Sequence, residues 1–244
     1  MNGQTKEQRV LITAGSSGLG LATACAFQLA GAKVAICARG EEQLAQAKIT
    51  LEALTGQPVL AEVADLSQTA DIDKLIEHVE SHWGAIDVLV NNAGGPPPGE
   101  HTALEDEHWE QAFDLTLRSA VRVTNRVLPG MKKSGHGRII NLSSYSVKQP
   151  MPRMMLSNSL RLAGLGWAKT LSNELAADNI LVNTICTGWT KTQRVDQLLE
   201  ARAKAEGVPV EDIANAITAM IPLKRMAQPE EIAAVALFLA SPAA

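Results

Sequence analysis

The feature that most constrains the fold is the stretch Val10–Gly20, in which an apolar run gives way to small residues. Glycines stand at positions 15, 18 and 20, and an apolar helix-like pattern then continues through Leu21–Ala30. Glycine lets a backbone approach a ligand closely, and a helix N-terminus offers unpaired N–H groups and the positive end of a dipole. This strand–turn–helix unit predicts a site for a pyrophosphate group. A tight turn without a ligand is the alternative.

A second apolar strand, Lys33–Ala38, follows at the interval expected of a βαβ unit. Further apolar strands are expected at Val59–Ala64, Ile86–Val90, Arg138–Leu142 and Ile180–Cys186. Helical patterns alternate with them, which is typical of a doubly wound parallel sheet in a three-layer α/β/α arrangement. The fold class predicted is therefore α/β and Rossmann-like.

The later helices are expected to be long. The patterns predict helices over Leu104–Met131 and Arg153–Ala177, a helical insertion from Val195 to about Met220, and a final helix over Pro229–Leu239. The helix over Arg153–Ala177 is apolar around most of its circumference, more than contact with one sheet requires. We therefore expect it to form a subunit interface in a homodimer or homotetramer.

Composition restricts the class of partner. The 244 residues suffice for one large α/β domain over 1–244. A net charge of −4 without a basic run argues against nucleic acids and anionic membranes, which favours a small-molecule ligand. The polar start and the lack of a long apolar window favour a cytoplasmic protein. Cys25, Cys37 and Cys186 lack paired spacing and are expected to be reduced thiols.

Several motifs occur in the order typical of one family. The glycine turn resembles Thr-Gly-x-x-x-Gly-x-Gly, with Ala14 at the first glycine. Asp65-Leu66 follows the third strand, Asn91–Gly94 follows the fourth, and Pro222–Ile232 resembles the closing segment. From Val10 to Ala240 the chain resembles the short-chain dehydrogenase/reductase family.

That resemblance implies a nicotinamide cofactor site. Asp65 would hold the adenine amino group, Asn91 would support the cleft, and Thr192 would bind the nicotinamide carboxamide. Capping of the next helix is the alternative role for Asp65, and an ordinary loop position is the alternative for Thr192. The remaining positions that the resemblance assigns to the cofactor are Thr13, Gly15, Ser16, Ser17, Gly18, Leu19, Gly20, Leu66, Ala93, Gly94, Arg161, Gly188 and Thr190.

The choice between the two nicotinamide cofactors depends on the end of the second strand. NAD binding favours an acidic acceptor there for the ribose 2′-hydroxyl, whereas a 2′-phosphate favours a cation with planar donors. The chain places Arg39 at this position, and Glu41 and Glu42 suit the first turn of a helix for dipole reasons alone. We therefore predict NADP in preference to NAD.

The catalytic positions depart from the family pattern. Counting the family spacing from Ser144 leads to Ser157 in place of the tyrosine and Arg161 in place of the lysine, and Thr116 stands in place of the helix asparagine. A serine hydroxyl is a much weaker acid than a phenol, and arginine supplies charge without exchanging a proton. The sequence thus predicts an altered proton donor.

Tyr145, the only tyrosine, follows Ser144 directly and has Lys148 three residues later. It is a candidate proton donor. Since adjacent residues in extended structure point apart, a packing role for its ring is the alternative. His78 and His82 stand four apart on one helix, where a solvated helix edge fits better than a metal site because no third ligand accompanies them.

A helical insertion at about 193–222 is expected to cover the substrate. Its apolar residues, with Met151, Met154 and Met155, either cover an apolar substrate or belong to the core or an interface. Two functions remain open: an NADP(H)-dependent oxidoreductase acting on a carbonyl or alcohol, and a catalytically silent NADP(H)-binding sensor or partner protein. A lyase or isomerase that uses the cofactor transiently is a third.

Overall fold

The computed structural model describes residues 7–244, in which six parallel strands form one sheet. Their order across the sheet reverses between the first and the fourth strand, so the crevice at the carboxyl ends of these two strands is where such sheets bind ligands. The strands are β1 (Arg9–Ile12), β2 (Lys33–Ala38), β3 (Leu60–Val63), β4 (Val88–Asn91), β5 (Gly137–Ser144) and β6 (Ile180–Thr187), in the order β3-β2-β1-β4-β5-β6.

Helices occupy both faces of this sheet. The helices are α1 (Gly18–Leu29), α2 (Glu41–Thr55), α3 (Thr69–Trp83), α4 (Asp106–Phe113), α5 (Ser119–Ser134), α6 (Met155–Leu175), α7 (Gln193–Glu206), α8 (Val210–Met220) and α9 (Pro229–Ala240).

Alternation along the strands divides the core into two layers. On β1, Val10 and Ile12 pack with Phe27 of α1 and with α2 and α9, whereas Leu11 packs with Leu75 of α3 and with α5 on the other face. Successive side chains of a strand point to opposite faces, and a parallel sheet is covered on both. The predicted doubly wound, three-layer α/β/α fold is confirmed.

The helix predicted over Leu104–Met131 is present over Asp106–Ser134, with a π-helical segment inside it that was not predicted. A short 3-10 turn at His101–Ala103 precedes α4, whose start is fixed by the Glu105 capping box. The π-helical segment, Asp114–Arg118, joins α4 to α5. Periodicity does not show it, because the apolar pattern continues through it.

The helical insertion predicted from Val195 to about Met220 consists of two helices, α7 and α8. Gly207 adopts φ of 69° at the end of α7, and Pro209 precedes α8. A left-handed glycine ends a helix, and proline is excluded from the interior of the next one. The two helices pack together through Leu199, Ala203, Ile213, Ile217 and Met226.

The remaining expectations have mixed outcomes. All three cysteines are free, as predicted; Cys37 is buried, and burial raises the pKa of its thiol to about 12. Met155 and Leu162 of α6 are exposed, so the subunit interface stays a prediction. Among residues 7–244, no helix combines the length and apolarity that a bilayer crossing requires.

Candidate active site at the carboxyl edge of the sheet

The turn between β1 and α1 has no room for side chains at two of its glycines. A Cβ atom at Gly20 would lie 2.3 Å from the carbonyl oxygen of Ala14, and one at Gly15 would lie 2.7 Å from Cγ2 of Ile36. Gly18 has φ of 51° and Ala14 has φ of 46°. Ala14, which replaces the family's first glycine, thus keeps the left-handed backbone that glycine adopts more easily.

The N-terminus of α1 opens into a cleft. Its N-cap residue Ser17 makes no side-chain hydrogen bond to the first turn, and that turn contains no acidic residue. Ser17, Gly18 and Leu19 line the cleft. The free N–H groups of this turn and the positive end of the helix dipole suit an anionic group.

Hydrogen bonds fix the β1 and β4 ends of the crevice. Thr13 Oγ1 donates to the carbonyl oxygen of Asn92 at 2.6 Å, and Asn92 Nδ2 donates to that of Ala14 at 3.1 Å. Asn91 Nδ2 donates to Thr124 Oγ1 at 3.1 Å and to Asn141 Oδ1 at 3.0 Å. Asn91 therefore joins β4 to α5 and β5 behind the cleft.

The cleft has a volume of about 330 Å³ and lies between the strand ends, α6 and α7. Ser144, Tyr145, Ser157 and Arg161 all line it, so the structure brings together the four predicted catalytic residues. Thr116 lines a smaller adjoining cavity of about 40 Å³, which also reaches Arg161. The predicted cofactor residues on the cleft wall are Ser17, Gly18, Leu19, Ala93, Gly94, Gly188, Thr190 and Thr192.

Three of the predicted residues also have local structural roles. Thr192 accepts from the backbone N–H of Val195 at 3.4 Å as N-cap of α7. Asp65 Oδ1 accepts from the N–H of Ser67 at 2.9 Å, ahead of α3. Thr116 Oγ1 donates to the carbonyl oxygen of Ala112 at 2.7 Å. Arg39 is exposed at the end of β2.

Ser144 and Tyr145 line the same cleft because β5 ends between them. Tyr145 begins a 3-10 turn, and Ser144 Oγ accepts from the N–H of Ser146 at 3.2 Å. The expectation that adjacent side chains point apart assumed extended backbone, which does not continue past Ser144. Lys148 is exposed and does not line the cleft.

Arg161 lies one helical turn after Ser157 on α6. Its Nη1 donates to the carbonyl oxygen of Leu142 at 3.3 Å. Burial lowers the pKa of this guanidinium, and the positive charge of Arg194 lowers the pKa further. Arginine remains protonated even when its pKa falls, so Arg161 holds a positive charge beside the two serines.

Arg194 is a residue that the sequence analysis missed. Its Nη2 donates to the carbonyl oxygen of Pro96 at 2.8 Å, and burial lowers the pKa of its guanidinium. Its position two residues after Thr192 was the available signal. The loop Gly95–Pro98 after β4 supplies its anchor.

Apolar residues complete the wall. Met151, Met154 and Leu198 line the cleft, whereas Met155 and Met220 are exposed.

On α3, Nδ1 of His78 lies 2.7 Å from Oε2 of Glu62, and the His78 ring stacks on that of His82. Within residues 7–244, no cluster of three or more potential metal ligands occurs.

Comparison with known proteins identifies the family. A family model described as "Enoyl-(Acyl carrier protein) reductase" matches residues 13–244. The chain is 34% identical over 249 residues to D-beta-hydroxybutyrate dehydrogenase from Cupriavidus necator, a match that covers 100% of this chain and 93% of that one. The chain belongs to the short-chain dehydrogenase/reductase family.

Solved structures agree with this assignment. L-sorbose reductase from Gluconobacter frateurii, complexed with NADPH and L-sorbose, superimposes with a TM-score of 0.93 at 32% identity, covering 100% of this chain and 93% of that one. F189W actinorhodin polyketide ketoreductase with NADPH has a TM-score of 0.93 at 34% identity, covering 99% and 93%. Within the family, the fold is thus that of solved reductases over nearly its full length.

Proposed function

We propose that the protein transfers hydride between NADP(H) and a carbonyl or alcohol substrate. The observation that carries this is the meeting, in one cleft, of the α1 N-terminus with Ser144, Ser157 and Arg161. Both solved reductases named above contain NADPH, and the Cupriavidus relative is named D-beta-hydroxybutyrate dehydrogenase. Lyase or isomerase chemistry has no comparable support.

The residues present fit the predicted cofactor. The uncapped first turn of α1 suits the diphosphate, and exposed Arg39 at the end of β2 suits a ribose 2′-phosphate. Asp65 has one oxygen on the N–H of Ser67, which leaves the other for an adenine amino group. When bound, the cofactor supplies or accepts the hydride; Thr190 and Thr192 would orient its nicotinamide end.

The serines would bind the oxygen of the reacting carbonyl. Ser144 Oγ accepts from the N–H of Ser146, so its own hydrogen is available to the substrate oxygen. Ser157 offers a second hydroxyl from α6, and Arg161 supplies positive charge as negative charge develops on that oxygen. The two hydroxyls and the guanidinium thereby favour the alkoxide-like transition state.

Tyr145 is the proton donor in this proposal. It is the only phenol of the chain and lines the cleft beside Ser144. A phenol can transfer a proton to the oxygen during reduction and recover it from water, because the cleft opens to solvent. The donor would then come from the 3-10 turn after β5, whereas the family places it on α6.

The test is NADPH oxidation against a panel of ketones, oxo esters and ketose sugars. Turnover should fall by about 10²–10³-fold in Ser144→Ala, since one donor to the developing oxyanion is lost. Ser159→Ala, on an exposed position of α6, is the matched control and should keep full turnover. Tight NADPH binding without turnover on any compound would favour the silent sensor or partner protein instead.

A further inference from the structure

Two positive charges in the cleft have no negative partner. Arg161 and Arg194 line it, and neither Asp nor Glu lines this cleft or the adjoining cavity. Within residues 7–244, ion pairs are formed by other arginines, namely Arg9, Arg118, Arg126, Arg153, Arg202 and Arg225. In a chain with a net charge of −4, this cleft is a local region of positive potential.

A hydrogen bond anchors the Arg194 guanidinium and leaves several of its N–H donors for a ligand. One nitrogen, Nη2, is bound to the carbonyl oxygen of Pro96 at 2.8 Å. A Cβ atom at Gly95 would lie 3.2 Å from both Nε and Nη2, so the glycine lets the guanidinium lie flat against the loop. A guanidinium has five N–H donors in a fixed plane, and one hydrogen bond leaves several of them for a ligand.

The cost of this arrangement points to a ligand. A partly buried charge without an opposite charge is unfavourable: burial lowers the pKa of both guanidinium groups, and the charge of Arg194 lowers the pKa of Arg161 further. An anion placed between them would remove both penalties. Planar, bidentate recognition by arginine suits a carboxylate especially well.

We propose that the substrate is an oxo or hydroxy carboxylic acid whose carboxylate is bound by Arg194. This deepens the oxidoreductase proposal and rests on it. Arg161 and the serines would face the reacting oxygen, while Arg194, on the α7 side of the cleft, would hold the acid. Met151, Met154, Trp189 and Leu198 line the space around them and suit an apolar body for this acid.

The competing role for Arg194 is contact with the diphosphate of the cofactor. Arg194 lies close in sequence to Thr192, whose Cγ2 would be 3.5 Å from a Cβ atom at Gly18. In our proposal the N–H groups of α1 serve the diphosphate, and the Arg194 guanidinium is anchored at Gly95 and Pro96. If Arg194 contacts the diphosphate, the affinity for NADPH depends on it. If Arg194 binds the substrate carboxylate, the affinity for the acid depends on it.

The first experiment compares 3-oxo acids with their methyl esters, which share the same carbonyl group. For the unmodified protein, kcat/KM should be higher for the acid. In Arg194→Gln the value for the acid should fall about 10- to 100-fold, as expected for the loss of a hydrogen bond to a charged group, and the value for the ester should change little. Arg194→Lys should restore part of the loss. Arg202→Gln, an exposed arginine on the same helix, is the matched control.

The second experiment needs no turnover. Calorimetry of the protein saturated with NADP⁺ should show that butyrate binds, that methyl butyrate does not, and that Arg194→Gln weakens butyrate binding about 10- to 100-fold. If no carbonyl compound is reduced, the oxidoreductase proposal fails, and the butyrate titration still decides the carboxylate site.

Three results would overturn the inference. If Arg194→Gln weakens NADPH binding by a similar factor, the residue belongs to the cofactor site. If acid and ester lose activity equally, its role is structural, and if the unmodified protein does not distinguish acid from ester, no carboxylate site exists. The midpoint of thermal unfolding, measured for each variant, shows whether that variant is folded in the assay.

Discussion

The two halves of the cleft present different chemical groups, backbone N–H groups on one side and side chains on the other. On the β1–α1 side, Gly15, Gly18 and Gly20 leave backbone N–H groups as the binding surface. On the β5–α6 side, the side chains of Ser144, Ser157 and Arg161 line the cleft, and in our proposal they act on the substrate. A backbone donor survives a change of side chain wherever the turn has room for it, whereas a changed side chain in the second half changes the group offered to the substrate.

This difference between the two halves also separates cofactor binding from the chemical reaction. Ala14 shows that the turn accepts a small residue at this one position, because φ of 46° reproduces the glycine conformation. On the other side the chemical identity of each side chain matters, since a serine hydroxyl is a much weaker acid than a phenol. We therefore expect substitutions on the two sides to affect affinity and turnover separately.

The largest effect is expected from Tyr145→Phe. Removing the proposed proton donor should lower kcat by about 10²–10⁴-fold while leaving NADPH affinity unchanged, and single-turnover NADPH oxidation measures this. Gln149→Ala, exposed just beyond the same 3-10 turn, is the control. Full turnover in Tyr145→Phe would transfer the donor role to water or to the serines.

A second large effect is expected from Gly20→Ala. Its Cβ atom would lie 2.3 Å from the carbonyl oxygen of Ala14, so the turn must shift. Unfolding in urea should show a loss of about 1–3 kcal/mol in stability, with NADPH affinity weakened as the N–H groups move. In contrast, Gly166→Ala on α6, where a Cβ atom meets nothing within 4 Å, should stabilise the protein by about 0.5–1 kcal/mol. Equal effects of the two changes would contradict the packing argument.

An intermediate effect is expected from Arg39→Ala. Loss of charge-assisted bonds to a 2′-phosphate should weaken NADPH binding about 10- to 100-fold and leave NADH binding nearly unchanged. Parallel fluorescence titrations measure both constants. The comparison would break down if NADH bound more tightly than NADPH to the unmodified protein.

The smallest effect concerns Glu231, at the start of α9 and away from the cleft. Arg225 and the N–H of Gln228 lower the pKa of this carboxyl to about 2 from 4.5. The folded state therefore prefers the ionised form, and this stabilisation is present above about pH 4.5 and is lost as the pH falls toward 2. The melting temperature of Glu231→Gln should lie slightly below that of the unmodified protein at neutral pH, and the gap should close in acid. A difference in melting temperature that does not change with pH would show that the charge of Glu231 is not its cause.

The sequence predicted the sheet and the glycine turn well. The strand bounds differ by a few residues at most, because apolar runs between turn residues are local signals. The π-helical segment at Asp114–Arg118 was not predicted, and neither was the point at which the helical insertion divides, Gly207. Helical periodicity continues through such features, so the pattern alone does not locate them.

The substrate side of the cleft shows more clearly what the sequence alone does not predict. The sequence identified Ser144, Ser157 and Arg161 by their spacing, but gave no reason to pair Arg194 with Pro96, which is 98 residues earlier. Such a contact forms only when the loop after β4 and the first turn of α7 meet at one edge of the sheet.

The sequence by itself determined the α/β layers and the glycine turn, because these depend on neighbours along the chain. Only the tertiary structure decided that Tyr145 shares a cleft with Ser144, that Lys148 does not, and that two arginines stand there without a carboxylate. Charge and hydrogen bonding act through space, and the distances that govern them are fixed only when the strands align and α6 and α7 pack over their ends.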